Sequence, residues 1–283
     1  MKLSHGDRAF RLFSKLFILA AAVLMLFPLV MTFSVSLQTM NEVYSASPVI
    51  VPAKAQFVNY KTAMSSGNWL LYFKNSAVVT VITVVISLFI NSMSGYVFAR
   101  IPFRGREALF ALILLGMMVP TQVTLIPVFS LLRKCTLFGG GGLINTTAGL
   151  VLPYIAGSFG VFLCRQFYVS FPKELDDAAM MDGCGRFRAF IEVYLPLSGP
   201  VLASLGVLKF TGTWNEYTWP LVATSGERLK TVQLALTSFR NEGEIFWNLL
   251  MAATLVCGLP IYVVFVFAQK HFVSGLLAGS IKG

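Results

Sequence analysis

Long stretches of this chain carry no charge at all. Residues 16–41, 75–99, 108–132, 135–164 and 245–269 contain no Asp, Glu, Lys or Arg. An α-helix rises about 1.5 Å per residue, so ~20 apolar residues cross the ~30 Å hydrocarbon core of a bilayer. Each window is long enough. A sixth, 197–222, is apolar but holds Lys209 and Glu216. The pattern predicts an all-α, polytopic transmembrane bundle of about six spans, read as a single membrane domain over residues 1–283. Composition agrees: 56% of residues are hydrophobic, 12% are charged, and the mean hydropathy is +0.75. A soluble domain of this length needs more charge at its surface.

The first window follows Lys2, Arg8, Arg11 and Lys15. A signal peptide has that order, but its apolar core runs only about 7–15 residues and ends at a small-residue cleavage site. An uncleaved span is the expectation. The net charge of +10 raises nucleic acid as a partner. No basic stripe on a soluble helix supports it, and basic residues flanking apolar spans follow the positive-inside rule instead. That rule puts the N-terminal tail and the turn holding Arg100, Arg104 and Arg106 in the cytoplasm. With six spans, both termini are cytoplasmic. Residues 38–73, 133–145 and 224–244 then face outward, and 165–195 inward.

Neither metal nor nucleotide chemistry is written in the chain. Cys135, Cys164, Cys184 and Cys257 form no CxxC, and His5 and His271 lie near opposite ends. The glycine run at 139–142 leads into Leu143, Ile144 and Asn145, with no Lys to reach a phosphate, so it is not a P-loop. No G-x-S-x-G or H-E-x-x-H occurs. The chain is expected to be no enzyme, with no cofactor of its own. Pro28, Pro120, Pro127, Pro153 and Pro260 interrupt the windows. Each removes a backbone donor, which bends a helix and suits cavity-lining segments as well as ordinary kinked packing.

The most informative stretch is the inward loop, about 168–196. It reads as two short helices. Ser170 is placed to cap the first, with Pro172 in its first turn. Glu174, Asp176 and Asp177 sit where the helix dipole favours acids. Gly183 supplies a left-handed stop, and Asp182 can accept from the amides opening the second helix. Phe187, Phe190, Ile191 and Tyr194 share one face at helical spacing. The residues alone leave two readings: a docking element for another protein, or a helix pair lying on the membrane interface.

This loop resembles the EAA motif of ABC importer permeases, E-A-A-x-x-D-G, six residues, F-x-x-I-x-L-P. The chain has Asp177, Ala178 and Ala179, then Asp182 and Gly183, then Phe190, Val193, Leu195 and Pro196. Asp177 for Glu and Val193 for Ile are the departures. The stretches GYVFARIPFRGR at 95–106, PTQVTLIP at 120–127, GLINT at 142–146, WNEYTWP at 214–220 and GSIKG at 279–283 resemble MalG-type carbohydrate permeases. The resemblance implies a type I importer fold in a bacterial or archaeal cytoplasmic membrane. It implies three partners: a MalF-type permease, a cytoplasmic ABC ATPase dimer that binds the ATP and Mg²⁺, and an extracellular or periplasmic solute-binding protein. It also implies an ATPase-coupling role for Glu174, Asp177, Ala178, Ala179, Asp182, Gly183, Phe187, Phe190, Leu195 and Pro196. A permease for another solute is the nearest alternative, and a polytopic membrane enzyme a distant one.

Charges within a span tend to face a cavity or a partner. Lys209 and Glu216 are seven residues apart and would share a helix face with Thr213 between them. Trp214 and Asn215 lie beside that face. These five form a candidate solute pathway, with a helix-packing ion pair or an outward-reaching Glu216 as the other readings.

Overall fold

The computed structural model describes residues 5–136, 141–240 and 243–280, with side chains between 10 and 269. Lys2, the first half of the glycine run (139–140) and residues 281–283 lie outside them. Along the chain run α1 (His5–Ser36), α2 (Trp69–Arg100), α3 (Arg106–Leu115), α4 (Thr121–Lys134), α5 (Thr147–Val151), α6 (Ser158–Val169), α7 (Glu174–Met181), α8 (Arg186–Ala189), α9 (Gly199–Trp214), α10 (Thr218–Ala223) and α11 (Trp247–Ser280). Among the described residues the one sheet-like pairing is an isolated bridge between Arg240 and Ile245.

Among the described residues six apolar segments are present, of which three are single helices: Phe10–Ser36, Trp69–Arg100 and Trp247–Gln269. The other three are broken. Arg106–Met118 meets Thr121–Lys134 at 104°, Thr147–Tyr154 meets Ser158–Val169 at 48°, and Arg186–Leu197 meets Gly199–Trp214 at 79°. Proline sits beside each break, as Pro120, Pro153 and Pro200. Proline alone does not break a helix here, since α1 runs through Pro28 and α11 through Pro260.

The sixth window is corrected in a second way. Helix α9 stops at Trp214, with Asn215 as its C-cap. Glu216 therefore lies beyond the helix and shares no face with Lys209. Its carboxylate Oε1 accepts from the Trp219 amide at 3.0 Å, near the start of α10.

The chain forms two compact units. One takes in Met1–Trp69 and Leu236–Gly258. Here the apolar window of α1 buries nothing within the unit, as a lipid-facing span allows. The tract after α1 is held by polar contacts. Asn59 Nδ2 donates to the carbonyls of Ser36 and Gln38, both at 2.9 Å. Buried Gln38 Nε2 donates to Val49 O at 2.7 Å. Thr39 and Glu42 form a capping box on a short helix, Met40–Val43.

The other unit takes in Leu70–Ala235 and Leu259–Gly283. Its centre is α2, which presents Ser76, Thr80, Thr83, Ser87 and Asn91 as a buried stripe. Steps of three and four keep these on one face. Small side chains let neighbouring helices approach closely, and the two ends of the stripe bond across the gap. Ser76 Oγ accepts from the Val232 amide at 2.9 Å. Asn91 Oδ1 accepts from the Gly157 amide at 3.2 Å. A Cβ on Gly160 would stand 2.6 Å from the Asn91 side chain, so glycine is required there. One aromatic core surrounds Tyr96, Tyr168, Phe190 and Tyr194, and another gathers Val79, Leu150, Trp219 and Leu229.

Candidate functional site

Two polar centres stand out in the second unit. The first organises the inward loop. Helix α7 ends in the turn that the sequence predicts: Asp182 is the C-cap, Gly183 has φ +73°, the Gly183 amide bonds Met180 O at 3.0 Å and the Cys184 amide bonds Ala179 O at 2.9 Å. This is a Schellman closure. Nothing lies within 4 Å of a Cβ built on Gly183, so the need for glycine is conformational, not steric.

Three local expectations fail. Ser170 does not cap α7; its hydroxyl donates back to Phe167 O at 2.6 Å and closes α6. Asp182 does not cap α8, whose N-cap is Gly185 with no side-chain partner. The apolar stripe is split. Phe190 and Tyr194 are fully buried, whereas Phe187 is 64% exposed. A π-helical turn follows over Phe190–Tyr194. Its wider turn departs from the 3.6-residue period on which the stripe was drawn.

The loop is clamped from inside by a contact that spacing did not predict, between Arg100, Asp176 and Tyr194. The Arg100 guanidinium, at the end of α2, donates from Nε to Asp176 Oδ2 at 2.9 Å and from a second nitrogen to the same oxygen. It also donates to the carbonyls of Phe171 and Pro172, each at 3.0 Å. The Tyr194 hydroxyl donates to Asp176 Oδ1. From there a hydroxyl chain continues. Ser198 Oγ bonds Tyr194 O at 2.5 Å, and Tyr168 OH bridges Ser198 Oγ and Ser92 Oγ, both at 2.6 Å. Asp176 and Ala179 lie on the inward face of α7, while Glu174, Asp177 and Ala178 point outward. The signal available in the sequence was the i, i+3 relation of Asp176 to Ala179. Outward, Met180 and Met181 stand 73% and 88% exposed beside Phe187. Asp182, Gly183 and Pro196 are exposed as well, and Leu195 is half-buried.

The second centre surrounds Glu216. Lys209 Nζ donates to Tyr154 O at 3.1 Å, and the Tyr154 hydroxyl faces the Glu216 carboxylate. The two charged residues thus converge on Tyr154 without pairing with each other. Thr213 and Glu216 both line a small chamber of about 10 Å³, the volume of one water. Thr80 lines it too, and its buried hydroxyl has no hydrogen-bond partner among the described residues. Trp214 and Asn215 turn elsewhere. Trp214 is buried against Phe210, with ring centroids at 5.7 Å. Asn215 Oδ1 accepts from Gln233 Nε2 at 2.9 Å. Among the described residues no group of three or more His, Cys, Asp or Glu comes together as a metal site.

The family model described as binding-protein-dependent transport system inner membrane component matches residues 91–277. That range holds both centres. The chain belongs to this family. It is similar to the arabinooligosaccharides transport system permease protein AraQ of Bacillus subtilis, 33% identical over 97% of this chain and 96% of that one. It is also similar to the trehalose/maltose transport system permease protein MalG of Thermococcus litoralis, 31% identical over 93% of each chain. A chain in the crystal structure of a bacterial ABC transporter that imports the acidic polysaccharide alginate shares its fold, with a TM-score of 0.81 at 23% identity over 96% of this chain and 99% of that one. The permease is thus a transport subunit with the type I importer fold, an inner membrane component that crosses the bilayer several times.

Proposed function

We propose that this permease is one of two membrane subunits of an ATP-driven carbohydrate importer. Its relatives named for arabinooligosaccharides and for trehalose/maltose support the solute class. A MalF-type permease completes the pathway, and a solute-binding protein delivers the sugar from outside. A cytoplasmic ATPase dimer binds ATP and Mg²⁺ and engages the loop at 168–196. Both termini lie in the cytoplasm, as the basic residues before the first span and at Arg100–Arg106 favour.

One observation carries the coupling role: the loop is fixed on its inner side and leaves three large apolar side chains exposed among charged ones on its outer side. Arg100 and Tyr194 hold Asp176 from within, while Met180, Met181 and Phe187 stand free. A force applied to α7 reaches α2 through the Arg100–Asp176 contact. It reaches α6 and α9 through Tyr168 and Ser198. Ala178 and Ala179 keep the helix slim enough to enter a cleft. The Gly183 turn sets the angle between α7 and α8.

The test is ATP hydrolysis by the purified importer with and without loaded binding protein, alongside co-purification of the subunits. Gly183→Pro removes an amide that bonds Met180 O and forbids the positive φ. The variant is expected to insert but to lose stimulation or assembly. Wild-type assembly together with wild-type stimulation overturns the coupling role.

A further inference from the structure

We propose that the cleft between the start of α4, the α5–α6 elbow and the start of α10 is a solute subsite on this chain, shaped for one neutral sugar ring. This rests on the carbohydrate-importer reading. The cleft has a volume of about 220 Å³ and is lined by Gln122, Thr124, Leu125, Tyr154, Glu216 and Thr218, among others. Drug-sized ligand sites run from about 300 Å³ upward, so this one takes a single ring and not an oligosaccharide. It suits a chain that moves past one unit at a time.

The lining has the chemistry a pyranose or furanose needs. Ring hydroxyls both donate and accept. Glu216 is acceptor-only when ionised, the Gln122 amide does both, and the threonine hydroxyls adapt. Gln122 Nε2 and the Thr218 hydroxyl have no partner among the described residues, leaving them free for a ligand. Tyr154 and Leu125 give an apolar wall for the C–H faces of the ring. The site is also built where the fold breaks. Pro120 marks the 104° bend before α4, and the chain between Trp214 and Thr218 interrupts the helical path from α9 to α10. Broken helices in a membrane are tolerated where they are buried in protein or line a cavity. The charge is selective. Glu216 forms no ion pair among the described residues, so it repels a uronate and favours a neutral ring.

The experiment uses the full importer in proteoliposomes with its binding protein. Radiolabelled maltose, lactose and arabinobiose are the probes, and the readout is sugar moved per ATP hydrolysed. That ratio reports on the pathway, whereas apparent affinity is dominated by the binding protein. Thr218→Trp fills the cleft and is expected to lower the ratio at least tenfold. Thr218→Ser is expected to keep it. Gln122→Ala, at an exposed position, is expected to lower it several-fold without a demand on folding. Wild-type ratios in both Thr218→Trp and Gln122→Ala overturn the subsite. The parent reading fails separately, and takes the subsite with it, if the wild-type importer moves none of the three sugars while its ATPase responds to binding protein loaded with a non-sugar solute.

Discussion

Asp176 and Glu216 are both carboxylates set among aromatic residues in the same unit, and they are treated in opposite ways. Asp176 has both oxygens engaged, one by the Arg100 guanidinium and one by the Tyr194 hydroxyl. The Arg100 side chain is only 7% exposed, and its guanidinium lies 5.7 Å from the centre of the Tyr194 ring. Glu216 forms no ion pair among the described residues. It accepts one backbone amide, faces the Tyr154 phenol, and lines open space. A carboxylate with both oxygens taken, one of them by a buried guanidinium, can fix a loop in place but does not readily exchange partners. One that is left unpaired at the edge of a cleft can exchange them. The difference separates a part that must transmit force from a part that must bind and release.

The sharpest way to break this contrast is to remove the cation. Arg100→Met strands Asp176 and leaves the carbonyls of Phe171 and Pro172 without their donors. Truncating one partner of a buried ion pair costs about 3–5 kcal/mol. Asp176 is one-third exposed, which moves the expected loss to the lower end of that range. The measurement is thermal unfolding of the detergent-purified permease, together with protease cleavage of the loop. Asp176→Asn in the Arg100→Met background should recover part of the loss, because the stranded charge is gone. Unchanged unfolding and unchanged cleavage in Arg100→Met would mean that the clamp does not hold the loop.

At Glu216 a much smaller effect on stability is expected. Glu216→Gln keeps an oxygen that can accept from the Trp219 amide and strands no cation. The change should stay within about 1 kcal/mol, in the range of substitutions that break no buried network. Thermal unfolding in the same detergent measures it. A loss as large as that of Arg100→Met would erase the distinction and make Glu216 a structural residue.

The two centres were unequally legible in the sequence. Hydropathy located the six apolar segments because it sums transfer free energies, and such a sum does not see direction. It therefore treated the segment bent by 104° at Pro120 like the straight helix α2. Proline did not resolve the matter either, since α11 continues through Pro260. The loop turn at Gly183 was legible because positive φ is a local demand met by a single residue. The clamp was not. Arg100 read as a topological charge, and nothing along the chain says that it would reach across to Asp176. A single helical period could not hold from Phe187 to Tyr194, because a π turn begins at Phe190. Joining Lys209 to Glu216 failed because α9 ends between them. Both residues still reach the same tyrosine, by contacts that no periodicity encodes.

Glu227 is an intermediate case and gives the smallest expected effect. Its carboxylate accepts from the Tyr72 hydroxyl and from Lys230 Nζ at 2.9 Å, yet it is 62% exposed. The Tyr72 hydrogen bond, followed by that of Lys230, holds its pKa below the ordinary 4.5. A carboxyl whose folded pKa lies below its unfolded value stabilises the fold above the unfolded value, and the contribution is lost as pH falls through the folded one. Solvent screening keeps an exposed pair of this kind to a few tenths of a kcal/mol. Glu227→Gln should therefore lower the unfolding temperature slightly at pH 7, and the gap from wild type should close as the pH falls from about 5 to 3. The same titration applied to Arg100→Met should leave a gap at pH 3, because the donors to Phe171 O and Pro172 O are lost at any pH. If the Glu227→Gln gap survives at pH 3 undiminished, the Tyr72 contact acts through shape and not charge. Glu227 then joins neither side of the contrast between the paired and the free carboxylate.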